Sequence, residues 1–121
     1  MTTTATTDHI EFTATMVRLY VFLTQYLDRC VNEAARAPFP EAALQAHLAA
    51  TRGQLLDIMA VNPVVKSKVA EECNRVLALG AACLKGEGNK AAAFEALNAE
   101  REILRNKTIA RSDLLAVFRA L

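Results

Sequence analysis

The sequence predicts an all-α fold: an antiparallel up-down four-helix bundle, with room for a short fifth helix at the C-terminus. Three observations predict it. Alanine supplies about a fifth of the 121 residues, in a chain with no Trp and few residues that break helices. No segment alternates apolar and polar residues with the period of two that marks a strand. The turn-forming residues gather at three points, Pro38/Pro40, Asn62-Pro63 and Gly86/Gly88, and cut the chain into helix-length pieces joined by short connections.

Residues 1–7 are polar and Thr-rich and are expected as a disordered tail, leaving 8–121 as a single domain. Thr7 or Asp8 is the expected N-cap of a first helix running to about Ala35. That helix is apolar on more than one side. Ile10, Val17, Tyr20, Leu27 and Val31 line one face, with Leu23 and Cys30 at its edge. Phe12, Leu19, Phe22 and Tyr26 form a second stripe. A surface helix needs one apolar stripe, so the second is expected to meet something outside the chain.

Pro38 and Pro40 end the first helix. A second helix starts at Pro40 or Glu41 and buries Leu44, Leu48, Thr51, Leu55 and Ile58 or Met59. Asn62 caps a third helix that begins at Pro63 and turns Val65, Val69, Cys73, Val76, Gly80 and Cys83 inward. Gly86 is its left-handed cap. Gly80, costly inside a helix by about 1 kcal/mol relative to Ala, is expected where two backbones approach closely. Asn89 caps a fourth helix with Ala93, Leu97, Leu104, Leu115 and Phe118 on its inner face. Thr108 and Arg111 interrupt that stripe, so the helix either continues or breaks at Ser112-Asp113 to start a fifth over 113–120.

The composition excludes several functions. The net charge of +1 gives no general attraction to nucleic acid or membrane. The longest apolar run, Val76–Leu84, is too short to span a bilayer, and the N-terminus is no signal peptide. Cys30, Cys73 and Cys83 have no metal-ligand spacing and are expected as buried, reduced thiols of a cytoplasmic protein. His9 and His47 lack an acid or Cys at helical spacing, so no metal, cofactor or catalytic residues are assigned. Arg101, Arg105 and Arg119 share one side of the fourth helix, but the interleaved Glu100 and Glu102 make a solvated face the reading there, not a nucleic-acid contact.

Two short resemblances add to this. Ala82-Cys83-Leu84-Lys85-Gly86 is similar to the His-x-Leu-Lys-Gly motif of histidine phosphotransfer domains. The phosphorylated His falls on Ala82, so the resemblance implies a bundle that docks signalling partners without carrying phosphate. Residues 76–107 resemble one degenerate tetratricopeptide unit through Leu79-Gly80, Ala92 and Ala99, with Val76 at the aromatic anchor and no second repeat. That resemblance implies peptide binding or a secretion-chaperone role.

The function expected is therefore a non-catalytic protein–protein interaction module of adaptor, chaperone or inhibitor type. Its interface is expected at Phe12, Leu19, Phe22 and Tyr26, and its partner is a second copy, another protein or both. The alternative is a ligand-binding or enzymatic bundle with a buried cavity between the first helix and the Ala-rich third and fourth.

Overall fold

The computed structural model describes residues 2–36, 38–86 and 88–120, with side chains from Thr7 onward. It is an all-α bundle of α1 (Thr2–Glu33), α2 (Glu41–Ala60), α3 (Pro63–Lys85) and α4 (Lys90–Ala120), plus one 3-10 turn at Ala34–Arg36. Among the described residues there is no strand.

The local signals explain most boundaries. Pro40 is extended (φ −57°, ψ 143°) and its carbonyl accepts the first bond of α2, from Leu44 N–H at 3.0 Å. The Asn62 side chain accepts from Val64 N–H at 3.1 Å, with Pro63 in the first turn, where its missing donor costs nothing. Gly86 ends α3 at φ 67°, a conformation that favours glycine. Asn89 Oδ1 accepts from Ala92 N–H at 3.1 Å and caps α4. Phe39 N–H donates to the Leu84 carbonyl at 3.2 Å, tying the α1–α2 connection to the end of α3.

Two boundaries differ from expectation. Helix α1 begins at Thr2, so Thr7 and Asp8 lie inside it and are not its caps. Nothing in 2–7 is Pro or Gly, and once a helix exists each further residue adds a hydrogen bond. The tail expected over 1–7 falls mostly on residues whose side chains lie outside the described ones. At the other end α4 runs unbroken to Ala120, and there is no separate fifth helix among the described residues. Ser112 and Asp113 face water. Thr108 and Arg111 are absorbed by packing: Thr108 Oγ1 donates to the Leu104 carbonyl at 2.8 Å, and the Arg111 guanidinium lies 4.9 Å from the centre of the Tyr20 ring.

Helix α1 is the centre of the bundle. It packs against α2, α3 and α4, while α2 and α4 do not touch each other. The core draws from both apolar stripes of α1: Leu19, Leu23, Tyr26, Leu27 and Cys30 are fully buried, and Met16 and Tyr20 nearly so. Burying each such large apolar side chain contributes on the order of 1.5–3 kcal/mol. The expected inner faces of α2 and α3 are buried as read, with Met59 rather than Ile58 closing α2.

The close approach at Gly80 is to a side chain, not a backbone. A Cβ there would lie 2.5 Å from the Tyr26 hydroxyl and 2.6 and 2.7 Å from its ring carbons Cε2 and Cζ. The absent side chain lets the Tyr26 ring cross α3 and donate its hydroxyl to the Leu77 carbonyl at 3.1 Å, fully buried. Gly53, on α2, has nothing within 4 Å of the same position. Gly53→Ala should therefore stabilise the fold by up to about 1 kcal/mol, read as a rise in the urea midpoint.

Candidate functional site: the outer groove of α1 and α4

The stripe expected as an exposed interface is not one. Leu19 and Tyr26 are 0% exposed, and Phe12 and Phe22 lie partly buried against the core. The reason is the position of α1: its inward direction points between the two stripes, so each loses its large members to the core. The surplus is Ile10, Ala14 and Val17, half-buried, and Val21, exposed, which recur at helical spacing on one side of α1. Val21 was not singled out in the sequence, because a continuous apolar stretch hides which third of a helix faces out.

This surplus face has a neighbour. Helices α1 and α4, of 32 and 31 residues, outrun α2 and α3, of 20 and 23. They are held by polar contacts that fix their register. Arg101 pairs with Asp28 Oδ1 through Nε at 2.8 Å and Nη2 at 2.7 Å. Tyr20 donates its hydroxyl to Glu72 Oε2 at 3.1 Å, and Lys107 Nζ reaches Glu72 Oε1 at 2.5 Å. Lys107 and Arg111 also lie over the Tyr20 ring, at 5.7 and 4.9 Å.

Away from α2 and α3, the two helices leave a groove open to water. Its middle is a depression of about 160 Å³ lined by Val21, Thr24 and Gln25 of α1 and Arg105, Thr108 and Ile109 of α4. Towards the N-terminus of α1 lies a second cleft, of about 460 Å³, lined by Ile10, Ala14, Val17 and Arg18 of α1, Leu115 and Arg119 of α4 and Val61 at the end of α2. The floor is apolar and arginines stand on the rim. Among the described residues, neither Arg18 nor Arg119 has a carboxylate within 4.0 Å. Arg105 pairs with Glu102 at 3.2 Å, an exposed pair worth little. Glu11 is the acid on this rim.

The sequence-flagged reactive groups lie elsewhere and are muted. Burial pushes the Cys30 and Cys73 thiols up to about 11 and raises Cys83 as well. Tyr20 is pushed up to about 12, first by burial and then by the negative charge of Glu72. Tyr26 is raised further, again mainly by burial. His47 stacks on Tyr26 at 5.8 Å, and its Nε2 is buried without a hydrogen-bond partner. His9 rests against Phe118 at 5.5 Å. Among the described residues no group of three or more His, Cys, Asp or Glu is placed to hold a metal ion.

These shifts carry a sign. A thiol or phenol whose folded pKa is raised favours the fold while protonated, and that contribution is lost as pH climbs from the unfolded to the folded value. For Cys30, Cys73 and Tyr20 the windows run from 9.0 to about 11 and from 10.0 to about 12. Unfolding free energy, measured in urea, should fall as pH rises above about 9. Thiol labelling at pH 8 should be slow in the native chain and complete for all three cysteines once it is unfolded.

Among the described residues no helix is long and apolar enough to cross a membrane. Comparison with known protein families, curated proteins and solved structures finds no match for this chain.

Proposed function

We propose that this protein is a non-catalytic interaction module that holds an amphipathic helix of a partner protein in the outer groove of α1 and α4. One observation carries the reading: an apolar floor of Ile10, Val17, Val21 and Ile109 left open between two long helices, under Arg18, Arg105 and Arg119. An apolar groove of this kind suits a helix that presents residues at i, i+3, i+4 and i+7. The arginine rim suits acids flanking that stripe, through charge-assisted hydrogen bonds. Three buried, reduced thiols support a cytoplasmic setting. The buried-cavity alternative gains less support: the enclosed space beside the 3-10 turn, at Ala34, Ala82, Cys83 and Ala93, is about 10 Å³, about that of one water probe, and the pocket of about 490 Å³ between α1 and the start of α3, at Phe12, Val64 and Lys68, is open to water.

The test is fluorescence anisotropy with a labelled helical peptide carrying a Leu stripe flanked by Glu, against the same peptide with Lys in place of Glu. The acidic peptide should bind, and Val21→Glu should weaken it about tenfold or more, about 1.4 kcal/mol. Arg18→Glu with Arg119→Glu should reverse the preference between the peptides. Equal binding of both peptides, binding of neither, or no effect of Val21→Glu would overturn the reading.

A further inference from the structure

A second face of α4 is uncovered, and its order of side chains points to an occupant. Positions 92, 96, 99, 103, 106, 110, 114 and 117 hold Ala, Ala, Ala, Ile, Asn, Ala, Leu and Val, every third or fourth residue and so on one side of the helix. All eight are exposed, with Ile103 at 45%, Leu114 at 44% and Val117 at 58%. The core-facing Leu97, Leu104 and Leu115 lie roughly a quarter-turn or more around the helix, so this stripe contributes little to the fold.

The stripe is self-complementary in one direction only. Three alanines, 92, 96 and 99, begin it, Leu114 and Val117 end it, and Ile103 and Ala110 stand on either side of Asn106. Laid antiparallel on a second copy of itself, the register that sets Ile103 against Ala110 also sets Leu114 against Ala99 and Val117 against Ala96. Every large side chain then meets a small one, which is how facing helices interdigitate without voids. Asn106, the polar member, falls beside the two-fold axis, where such a residue fixes register. A parallel pair would set Leu114 on Leu114 and alanine on alanine, wedging one end apart while the other calls for close approach.

We propose that α4 pairs antiparallel with α4 of a second copy through this stripe, forming a weak, reversible dimer. Residues 92–117 span about 38 Å at 1.5 Å per residue. A strip of that length and about 10 Å wide buries on the order of 800 Å² over both copies, below the roughly 1,000 Å² of a stable assembly. The charges weaken it in a way that can be read. A two-fold axis across the helices brings the same flank of each copy together, and that flank carries Glu95, Glu102 and Asp113, all exposed. Glu102 of one copy comes to lie near Asp113 of the other. Salt screens such like-charge contacts, so this dimer tightens as salt rises.

Sedimentation equilibrium over a micromolar to millimolar range tests the proposal. The chain should approach a dimer mass at high concentration, at lower concentration in high salt than in low. Ile103→Glu should weaken association about tenfold or more. Ala96→Leu should also weaken it, because the added side chain strikes Val117 of the second copy. A merely greasy patch would instead gain from the extra leucine. Both positions are exposed, and a urea midpoint for each variant separates lost association from lost folding. Under oxidised glutathione, Asn106→Cys should cross-link to itself, and Ala96→Cys should cross-link only when Val117→Cys is also present. A strict monomer at every concentration, tighter association of Ala96→Leu, or self-cross-linking of Ala96→Cys alone would overturn the proposal.

Discussion

Gly80→Ala should destabilise the fold by about 2–3 kcal/mol, although alanine is ordinarily the better helix residue by about 1 kcal/mol. The new Cβ would lie 2.5–2.7 Å from the Tyr26 hydroxyl and ring, and the ring is fully buried with His47 stacked on it at 5.8 Å. Overpacking of this kind costs roughly 1–3 kcal/mol. Displacing the ring also breaks its buried hydroxyl bond to the Leu77 carbonyl, worth roughly another 1–3 kcal/mol when an acceptor is left unmet. In a domain of this size the melting temperature should fall by about 10 °C. Tyr26→Phe removes the atom closest to the new Cβ, so the two substitutions should be strongly non-additive in a double-mutant cycle. A loss for Gly80→Ala beside a gain for Gly53→Ala would show that Gly80 is a packing residue; two stabilising outcomes would show that it is not.

Arg75→Ala should cost about 2 kcal/mol, while Glu100→Met should be close to neutral. The pair joins α3 to α4 through Arg75 Nη1 and Glu100 Oε2 at 2.8 Å, but its two ends sit in different surroundings. The arginine side chain is 54% exposed and the glutamate 5%. Glu100 Oε1 is buried with no hydrogen-bond partner. Removing the arginine strands a buried carboxylate, which in a fully dry site costs roughly 3–5 kcal/mol; water reaching the vacated edge lowers that. Removing the glutamate instead takes away the orphaned oxygen and fills the space with an apolar chain, and buried ion pairs are often replaced in this way without loss. Urea midpoints of the two variants should therefore differ widely. Equal losses would mean that the ion pair itself, and not the stranded charge, holds the helices.

Much of the fold was legible locally. Asn62-Pro63, Gly86 and Asn89 are boundaries because their side chains or conformations satisfy helix ends without help from elsewhere. The inner faces of α2 and α3 were legible because each carries one apolar stripe at helical spacing. The sequence left one point open, and one reading failed. Thr108 and Arg111 interrupt the stripe of α4, yet their polar atoms are satisfied by the Leu104 carbonyl and the Tyr20 ring, the latter just over ninety residues away in sequence. The stripe of Phe12, Leu19, Phe22 and Tyr26 looked like a spare face, yet Leu19 and Tyr26 are core.

The sequence by itself determined an all-α bundle of at least four helices, where the connections at Pro38/Pro40, Asn62-Pro63 and Gly86/Gly88 lie, and that the first helix carries more apolar surface than one contact can cover. Those are properties of spacing and capping, which a chain expresses over a few turns. Only the tertiary structure decided which part of that surface stays outside. A helix touching three neighbours can be rotated about its own axis without any change of sequence pattern, and the rotation is set by what the other helices bring. Tyr26 needs the gap at Gly80, and Tyr20 needs Glu72 beside the cations of α4. Those long-range fits turn α1 so that its aromatic residues point inward and leave Ile10, Ala14, Val17 and Val21 facing the groove.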